Sequence, residues 1–276
     1  MANGSKVWFI TGTSKGFGHI WAEAALKRGD RVAATARNTT SVKDLVDRYG
    51  ENVLPNELDV NDKTAVDAAV DRAHDHFGRL DIVVNNAGYG LFGTIEEITE
   101  EQARAQIETN LFGALWVTKA ALPYLRDQGS GHIIQVSSIG GVHAFPTLGL
   151  YHASKWGLEA FTQSLNAEVH DLGIKVTLVE PTGYTTDWGG PSSVQAEHLP
   201  AYDDLRAKLA ATWSIRDRGD PEATGPAILK LVDAEEPPLR IFFGRGPLDL
   251  IRAEYAQRIA TWEQWDELSQ MAHGNK

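Results

Sequence analysis

Short apolar runs alternate with longer, helix-like segments along most of this chain. The short runs are rich in β-branched and aromatic residues, which is typical of buried strands. The longer segments repeat apolar residues at spacings of three and four, as helices with one buried face do. This alternation predicts an α/β fold: a doubly wound (Rossmann-type) sheet of seven parallel strands with helices on both faces. The predicted strands are Lys6–Thr11, Arg31–Ala36, Val53–Asp59, Ile82–Asn85, His132–Ser137, Lys175–Glu180 and Leu239–Phe243.

The pattern changes after the sixth predicted strand. Residues 182–220 are rich in Gly, Pro, Ser, Tyr and Trp, and we predict a lid inserted between the last two strands, with a short helix near Asp203–Thr212. A structural excursion that only covers the sheet is the alternative. A further helix is predicted at about 247–271, and its apolar stripe packs on the same subunit or forms a dimer contact. The whole chain, residues 1–276, is expected to form one domain.

Composition and charge narrow the class of protein. The absence of cysteine excludes disulfides, thiolate catalysis and zinc sites built on sulfur. A net charge of −11 argues against binding to nucleic acid or to an anionic membrane. No apolar run reaches the ~18 residues of a membrane span, and the first predicted strand begins almost at the N-terminus, so we expect a cytoplasmic protein without a signal peptide. The histidines show no metal-ligand spacing, and no metal site is predicted.

A tyrosine and a lysine four residues apart form the strongest chemical signal. Residues at this spacing share one face of a helix, so Lys155 is expected to lie next to Tyr151. An ammonium group would lower the tyrosine pKa from about 10 toward neutral pH, where acid–base catalysis works. Ser138, thirteen residues before Tyr151, could hold the oxygen of a carbonyl or alcohol. These residues predict proton transfer at a C–O bond, on the helix face opposite the apolar stripe of residues 158–169.

A glycine-rich turn joins the first predicted strand to the first helix. The segment Gly12–Gly18 has the spacing GxxxGxG rather than GxGxxG, the general dinucleotide fingerprint. A strand, a glycine turn and a helix in this order present backbone N–H groups to a pyrophosphate. A turn that joins strand to helix without a ligand is the alternative.

Together these motifs resemble the short-chain dehydrogenase/reductase family, and most closely its ordinary single-domain branch. The resemblance covers about residues 5–245, and five motifs fall in the order and spacing of the family. The motifs are Thr11-Gly12 with Gly16 and Gly18, Asn85-Asn86-Ala87-Gly88, Asn110, Ser138, and Tyr151 with Lys155.

The resemblance implies hydride transfer between a nicotinamide cofactor and a carbonyl or secondary alcohol. Tyr151 would act as general acid or base, and Ser138 would orient the reacting oxygen. Lys155 would lower the Tyr151 pKa and bind the nicotinamide ribose, and Asn110 would hold a helix distortion and a water that relays protons. Besides Tyr151 and Lys155, the implied cofactor contacts are Gly12, Thr13, Ser14, Lys15, Gly16, Phe17, Gly18, Arg37, Asp59, Val60, Asn86, Ala87, Gly88, Pro181, Thr182, Gly183, Tyr184 and Thr186.

The choice of cofactor follows from charge at the end of the second predicted strand. An NAD enzyme places an acid there to bind the ribose 2′-hydroxyl, whereas this chain has Ala36. Arg37 follows, and Lys15 lies in the glycine turn, so two cations suit a 2′-phosphate and the cofactor is expected to be NADP(H). The alternative is that both are solvated surface charges. Asp59 would hold the adenine amine or, alternatively, cap a helix.

One segment departs from the family pattern. The family usually has Pro-Gly after the sixth strand, whereas Pro181 is followed here by Thr182 and then Gly183, which leaves the backbone path to Thr186 open. His19, directly after the glycine turn, is expected to be a surface histidine.

The loops expected to rim the pocket are apolar and aromatic, which predicts a hydrophobic ketone, aldehyde or alcohol as substrate. The resemblance implies a homodimer or homotetramer. Two other functions stay open: an NADP(H)-sensing regulatory protein on the same fold, and an isomerase or epimerase of the extended branch. The predicted pocket residues are Phe92, Val142, His143, Phe145, Tyr184 and Trp188, with Tyr89, Leu91 and Leu148 in the same loops.

Overall fold

Seven parallel strands form the central sheet of the computed structural model, which describes residues 4–213 and 217–274. Within these residues the strands are β1 (Val7–Ile10), β2 (Arg31–Ala36), β3 (Val53–Glu57), β4 (Ile82–Asn85), β5 (Leu91–Phe92), β6 (Gly131–Val136), β7 (Ile174–Pro181), β8 (Val194–Gln195) and β9 (Arg240–Phe243). The sheet order is β3-β2-β1-β4-β6-β7-β9, and the short strands β5 and β8 pair with each other. All seven predicted strands are confirmed, with small differences at their ends.

Helices cover both faces of the sheet, as the alternation predicts. They are α1 (Gly16–Arg28), α2 (Lys43–Tyr49), α3 (Lys63–Phe77), α4 (Glu100–Ile107), α5 (Gly113–Gln128), α6 (Gly149–Val169), α7 (Asp203–Trp213), α8 (Thr224–Val232), α9 (Pro247–Gln264) and α10 (Asp266–His273). Side chains alternate along β1, so Trp8 packs with α1, α2 and α8, whereas Phe9 packs with α3, α5 and α6 on the other face. In the part of the chain described, none of the helices combines the length and apolar surface needed to cross a membrane.

The order of the strands reverses at β1, which lies between β2 and β4. In open α/β sheets this reversal opens a crevice beyond the carboxyl ends of the strands, where ligands bind. The predicted site segments leave the sheet at this edge: the Gly12 turn follows β1, Asn86 follows β4, Ser138 follows β6, and Pro181 ends β7. The fold therefore gathers motifs that lie far apart in the sequence.

Helix α6 differs from the sequence-based expectation. Tyr151, Lys155, Leu158, Leu165 and Val169 are all buried, and their spacings of three and four place them along one face. The expectation that the apolar stripe and the tyrosine–lysine pair occupy opposite faces is therefore wrong. The reason is that the first turns of α6 meet the turn after β6 while its later turns pack on the sheet, so one continuous face meets both the site and the core.

The segment expected to form a lid lies between β7 and β9 and contains β8 and α7. Its predicted short helix corresponds to α7, while residues 214–216 of this segment lie outside the described residues. The predicted C-terminal helix is instead two helices, α9 and α10, which meet at Trp265. Tyr255, Ile259, Trp262 and Leu268 of its stripe are exposed, so they do not pack on the core of their own subunit, and a dimer contact stays a prediction.

Candidate active site

Close backbone contacts build the glycine turn after β1. Gly12 has a φ of +71°, and a Cβ on Gly18 would collide with the carbonyl group of Gly12. Asn86 Nδ2 donates to Thr11 O at 2.9 Å and to Gly12 O at 3.0 Å. The Thr11 hydroxyl accepts from the backbone amides of Asn86 and Ala87, both at 2.9 Å. Hydrogen bonds thus connect two predicted cofactor segments, the turn after β1 and the turn after β4, where the strand order reverses.

The glycine turn and the start of α1 fit a dinucleotide pyrophosphate. Lys15 is the N-cap of α1, its side chain makes no capping hydrogen bond, and the first turn contains no acidic residue. The first amides of α1 therefore favour an anion. A Cβ on Gly16 would meet no atom within 4 Å, and Ser14 is exposed. Thr13 instead positions the turn, because its amide and hydroxyl donate to Thr35 O at 2.9 and 3.0 Å.

The structure defines the path of the segment Pro181–Thr186. Thr182 N donates to Phe243 O at 2.9 Å, which continues the pairing of β7 with β9. Gly219 N then donates to Gly183 O at 2.9 Å. The displaced glycine is therefore accommodated by pairing with the chain near Gly219, and the segment runs on past the edge of the sheet.

Tyr184 of this segment lies against the glycine turn. Its ring meets the edge of Phe17 at 5.0 Å between centroids, and Phe17 stacks on Trp21 at 5.5 Å. Thr186 caps the next turn by accepting from Trp188 N at 3.4 Å. These contacts group Tyr184 with the cofactor segments, and its place in the substrate pocket stays a prediction.

The contacts of Asp59, in the loop after β3, distinguish between its two predicted roles, adenine binding and helix capping. Asp59 is exposed, and its Oδ1 accepts from Asn61 N at 3.0 Å. The N-cap of α3 is Asp62, whose side chain accepts from Ala65 N at 3.0 Å. The helix-cap alternative for Asp59 is therefore wrong, and a contact with adenine stays a prediction. Val60, the next residue, is buried and packs in the hydrophobic core, which anchors this loop.

Two cations lie at the edge where a ribose 2′-phosphate is expected. Arg37 directly follows β2, is exposed, and has no ion-pair partner among the described residues. Lys15 Nζ lies 3.9 Å from Asp187 Oδ2, but both side chains are exposed, so this pair contributes little. The β2 strand ends at Ala36, which is buried and carries no charge.

Asn110 lies in a π-helical segment, Glu108–Phe112, between α4 and α5. The helix distortion implied by the family resemblance is therefore present. The Asn110 side chain is buried; its Oδ1 accepts from Tyr89 N at 3.0 Å, and its Nδ2 donates to Tyr89 O at 3.0 Å and Ser154 Oγ at 3.2 Å. Ser154 Oγ in turn donates to Tyr151 O at 2.6 Å. Asn110 thus ties the turn after β4 to the start of α6.

The two serines after β6 point to different neighbours. Ser138 Oγ accepts from Gly140 N at 3.0 Å and makes a hydrogen-bonding contact with the hydroxyl of Tyr151. Ser137 is buried beside Glu159. Successive residues of an extended chain point in opposite directions, which explains why Ser138 and not Ser137 meets Tyr151.

The tyrosine and the lysine are both buried, and burial controls their titration. It raises the pKa of Tyr151 to about 12, while the contact from Ser138 opposes this shift. It lowers the pKa of Lys155 to about 8, which the charge of Glu159 opposes. Lys155 Nζ donates to Val136 O at 2.8 Å and lies 5.9 Å from the Tyr151 ring centroid. The raising effect of burial therefore dominates the pKa of Tyr151, and Tyr151 is a protonated phenol at neutral pH.

His152 holds the loop that carries Ser138, a role that the sequence analysis missed. Its Nδ1 lies 3.0 Å from Gly140 O, and its Nε2 accepts from Phe145 N at 2.9 Å. Because one partner is an acceptor and the other a donor, the ring is neutral with its proton on Nδ1. Burial lowers the pKa of His152, consistent with this form. In the sequence, the position of His152 directly after Tyr151, at the start of a helix, was the feature that could have indicated this role.

Replacing His152 by leucine is expected to lower kcat about tenfold, because the loop loses two buried hydrogen bonds and Ser138 is no longer held. The KM for the cofactor should not change. Steady-state kinetics test this, with His170→Leu, an exposed histidine just after α6, as the control. An unchanged kcat in folded His152→Leu protein would contradict the assigned role.

A chain of aromatic ring contacts includes the ring of Tyr151. Trp188 meets the Tyr151 ring at 4.8 Å between centroids and Phe92 at 5.4 Å. On the other side, Phe145 lies 4.7 Å from the His143 ring. Val142 is buried, while His143 is half-buried, with Nδ1 3.3 Å from an oxygen of Glu254 on α9. Except for Tyr184, the structure thus places the predicted pocket residues along the loops around Tyr151.

A buried carboxylate, also missed, attaches the lid segment to the loop after β5. Glu97 accepts from Thr94 N at 2.8 Å and from Leu199 N at 2.7 Å, and it pairs with the guanidinium of Arg206 on α7. The parallel pair β5–β8 lies next to this anchor. The lid segment is therefore fixed to the body of the protein on the side of the pocket.

Comparison with known proteins agrees with this geometry. A family model described as short chain dehydrogenase matches residues 6–196. The oxidoreductase BOA17 of Botryotinia fuckeliana is 42% identical over 272 residues, which cover 96% of this chain and 98% of that protein. A short-chain dehydrogenase structure from Streptomyces avermitilis is 35% identical, with a TM-score of 0.90, and the match covers 99% of this chain and 100% of that one.

A second solved structure carries a cofactor in its name. It is an alcohol dehydrogenase from the archaeon Thermococcus sibiricus complexed with 5-hydroxy-NADP. It is 27% identical to this chain, has a TM-score of 0.71, and the match covers 87% of this chain and 96% of that one. Motif register, site geometry and these similarities lead to one conclusion. The chain belongs to the short-chain dehydrogenase/reductase family and is an oxidoreductase that uses a nicotinamide cofactor.

Proposed function

We propose that this protein transfers a hydride between NADP(H) and the carbonyl group or secondary alcohol of an apolar substrate. The observation that carries the proposal is the buried Tyr151, whose ring packs against Trp188 at 4.8 Å between centroids and whose raised pKa is opposed by the Ser138 hydroxyl. A protonated phenol in an apolar pocket is suited to donate a proton to a carbonyl oxygen on which negative charge develops.

The preference for NADP(H) rests on charge. Arg37 and Lys15 are accessible cations, and β2 ends at Ala36 without the acid that would bind a 2′-hydroxyl. A guanidinium group can bind a phosphate with two parallel hydrogen bonds. The similar alcohol dehydrogenase that binds 5-hydroxy-NADP supports the same choice.

Each residue of the site has a distinct task. The cofactor, when bound, supplies or accepts the hydride at its nicotinamide ring. Ser138 orients the substrate oxygen by donating a hydrogen bond, and Tyr151 donates its proton to that oxygen during reduction or removes it during oxidation. Lys155 places a positive charge 5.9 Å from the Tyr151 ring, which stabilises the phenolate left after proton transfer. Asn110, through Ser154, keeps the start of α6 in position.

The direct test is NADPH oxidation measured with a panel of aromatic and aliphatic ketones and aldehydes, with NADH in parallel. Turnover of apolar carbonyl compounds with NADPH in preference to NADH is expected. Tight NADPH binding without turnover across a broad panel would contradict the proposal. The homodimer or homotetramer expected from the family stays a prediction that sedimentation can test.

Trp188 is expected to contribute to substrate affinity, because its ring covers Tyr151 where an apolar substrate must lie. Replacing Trp188 by alanine should raise the KM of an aromatic ketone about tenfold and change kcat by less than about threefold, since the ring supplies binding area and no proton. The mutation Trp116→Ala, in α5 beside Phe112, is the control. Equal KM values for the Trp188 variant and the wild type would exclude Trp188 from the pocket.

A further inference from the structure

Two buried glutamates, one of them a helical turn from Lys155, take no part in the mechanism above. Glu159 is one turn after Lys155 on α6, and Glu180 is the residue before the end of β7. Their exposed fractions are 6% and 1%. Buried carboxyl groups are rare unless they are paired or protonated, so this placement requires a physical explanation.

One guanidinium group serves both carboxyl groups. Arg240 of β9 donates through Nε to Glu159 Oε2 at 2.9 Å, and the same nitrogen lies 3.8 Å from Glu180 Oε1. Arg240 also donates through Nη2 to Gln163 Oε1 at 2.9 Å. Glu180 Oε1 has no hydrogen-bond donor within the described residues. An ionised Glu180 would therefore be a buried carboxylate with an oxygen that accepts no hydrogen bond.

Both carboxyl groups approach the same nitrogen, Arg240 Nε, at 2.9 and 3.8 Å, and this closeness favours a shared proton. Burial, together with the charge of Glu159, raises the pKa of Glu180 to about 8. Burial also raises the pKa of Glu159, while Ser137, Arg240 and Lys155 oppose that shift. Two neighbouring carboxyl groups do not both ionise readily, so the pair titrates as a unit.

Polar groups from three parts of the fold surround this pair. Lys155 and Gln163 belong to α6, Arg240 to β9 and Ser137 to the end of β6, while Glu180 itself belongs to β7. Lys155 is the group among them that takes part in catalysis. Its ammonium is buried, and the negative charge of Glu159 is what opposes the loss of its proton.

We propose that Glu159 and Glu180 are positioning residues that share one proton above Arg240 and hold the ammonium group of Lys155 in its charged form. The inference rests on the proposed role of Lys155 and adds a source for its charge. When the pH rises, the shared proton leaves to solvent and the pair gains a second negative charge. This gain occurs in the range in which Lys155 would lose its own proton, so it extends catalysis to higher pH.

The first test is the pH profile of kcat/KM for ketone reduction. In Glu159→Gln the alkaline limb should begin about one pH unit lower than in the wild type, because a neighbouring negative charge is lost. In Glu180→Gln the shift should have the same direction and be smaller. The exposed residue Glu168 on α6 supplies the matched control, Glu168→Gln, which should leave the profile unchanged. Wild-type alkaline limbs in both folded variants would overturn the proposal.

A second test needs no substrate and therefore separates this proposal from the proposed function. The folded state holds a proton on Glu180 that the unfolded chain releases above its ordinary pKa of 4.5. Stability from this group is present at low pH and is lost as the pH rises toward 8. The free energy of unfolding of the wild type, relative to Glu180→Gln, should therefore fall between about pH 5 and pH 8. A difference that does not depend on pH would overturn proton sharing.

The infrared spectrum gives a direct view of the shared proton. The wild type at neutral pH should show the C=O band of a protonated carboxylic acid, and this band should be absent from Glu180→Gln and present in Glu168→Gln. Glu180→Gln replaces a neutral acid by a neutral amide of similar shape, so this variant should fold. A wild-type spectrum without the band would show that both carboxyl groups are ionised and would overturn the proposal, whatever the outcome of the activity assays.

Discussion

Replacing Tyr151 by phenylalanine is expected to lower kcat for ketone reduction about 10³-fold and to leave NADPH binding within about threefold of the wild type. The hydroxyl is the group placed to donate a proton to the carbonyl oxygen, and it contacts Ser138. The ring itself, which packs against Trp188, is retained in the variant. Steady-state kinetics and an NADPH fluorescence titration measure the two quantities.

A matched control separates catalysis from the loss of any tyrosine hydroxyl. The Tyr124 hydroxyl on α5 donates to Asp71 Oδ1 at 2.6 Å, and the Tyr124 ring stacks on His74 of α3, so its contacts lie outside the site residues. Tyr124→Phe should therefore keep the wild-type kcat. A Tyr151→Phe variant with more than about a tenth of the wild-type kcat would remove Tyr151 from proton transfer. A regulatory protein that only senses NADP(H) would show no turnover even as the wild type, and its partner binding would not depend on this hydroxyl.

Replacing Ala36 by aspartate is expected to change the preference for NADPH over NADH, as a ratio of kcat/KM values, by at least about 10²-fold. The carboxylate would repel the 2′-phosphate of NADPH and accept hydrogen bonds from the 2′-hydroxyl of NADH. Ala36 ends β2 at the crevice, directly before the exposed Arg37, so the new charge lies where the adenosine ribose is expected. Initial rates with both cofactors measure the ratio.

Arg37→Ala is the companion variant. This variant should weaken NADPH binding about tenfold without improving NADH binding. The change removes the attraction between the guanidinium group and the 2′-phosphate and adds no acceptor for the ribose hydroxyl. If Ala36→Asp leaves the ratio of the two cofactors unchanged in folded protein, the adenosine ribose does not lie at the end of β2. Thermal unfolding of the variant verifies the fold, because Ala36 is buried in the wild type.

Local patterns identified the elements and the chemistry. The seven strands followed from apolar runs, because a strand covered on both faces needs apolar side chains in both directions. The predicted catalytic residues came from the spacing of Tyr151 and Lys155 on a helix and from the resemblance to a family that keeps such residues at constant spacing. The prediction that Tyr151 and Lys155 lie on the face of α6 opposite the apolar stripe was wrong. The residue spacings in the sequence already place them on the same face.

The supporting residues were not accessible to sequence reasoning. His152, Glu97 and Glu159 lie in segments where a polar residue looks like part of a solvated face, and their roles come from partners far along the chain. Glu180 was the clearest signal, since an acid inside an apolar strand is unusual, but its partners Glu159 and Arg240 lie on other elements. Periodicity reports only which face a residue occupies, not what meets that face.

The amino-acid sequence by itself determined the α/β alternation, the nicotinamide-type turn and the identities of Ser138, Tyr151 and Lys155, because these depend on spacing within single segments. Only the tertiary structure decided how those residues titrate, with burial raising the pKa of Tyr151 to about 12 and lowering that of Lys155 to about 8. Titration depends on the solvent and charges that surround a group, and those surroundings include segments distant in the chain, such as the end of β6 and the loop that carries Trp188.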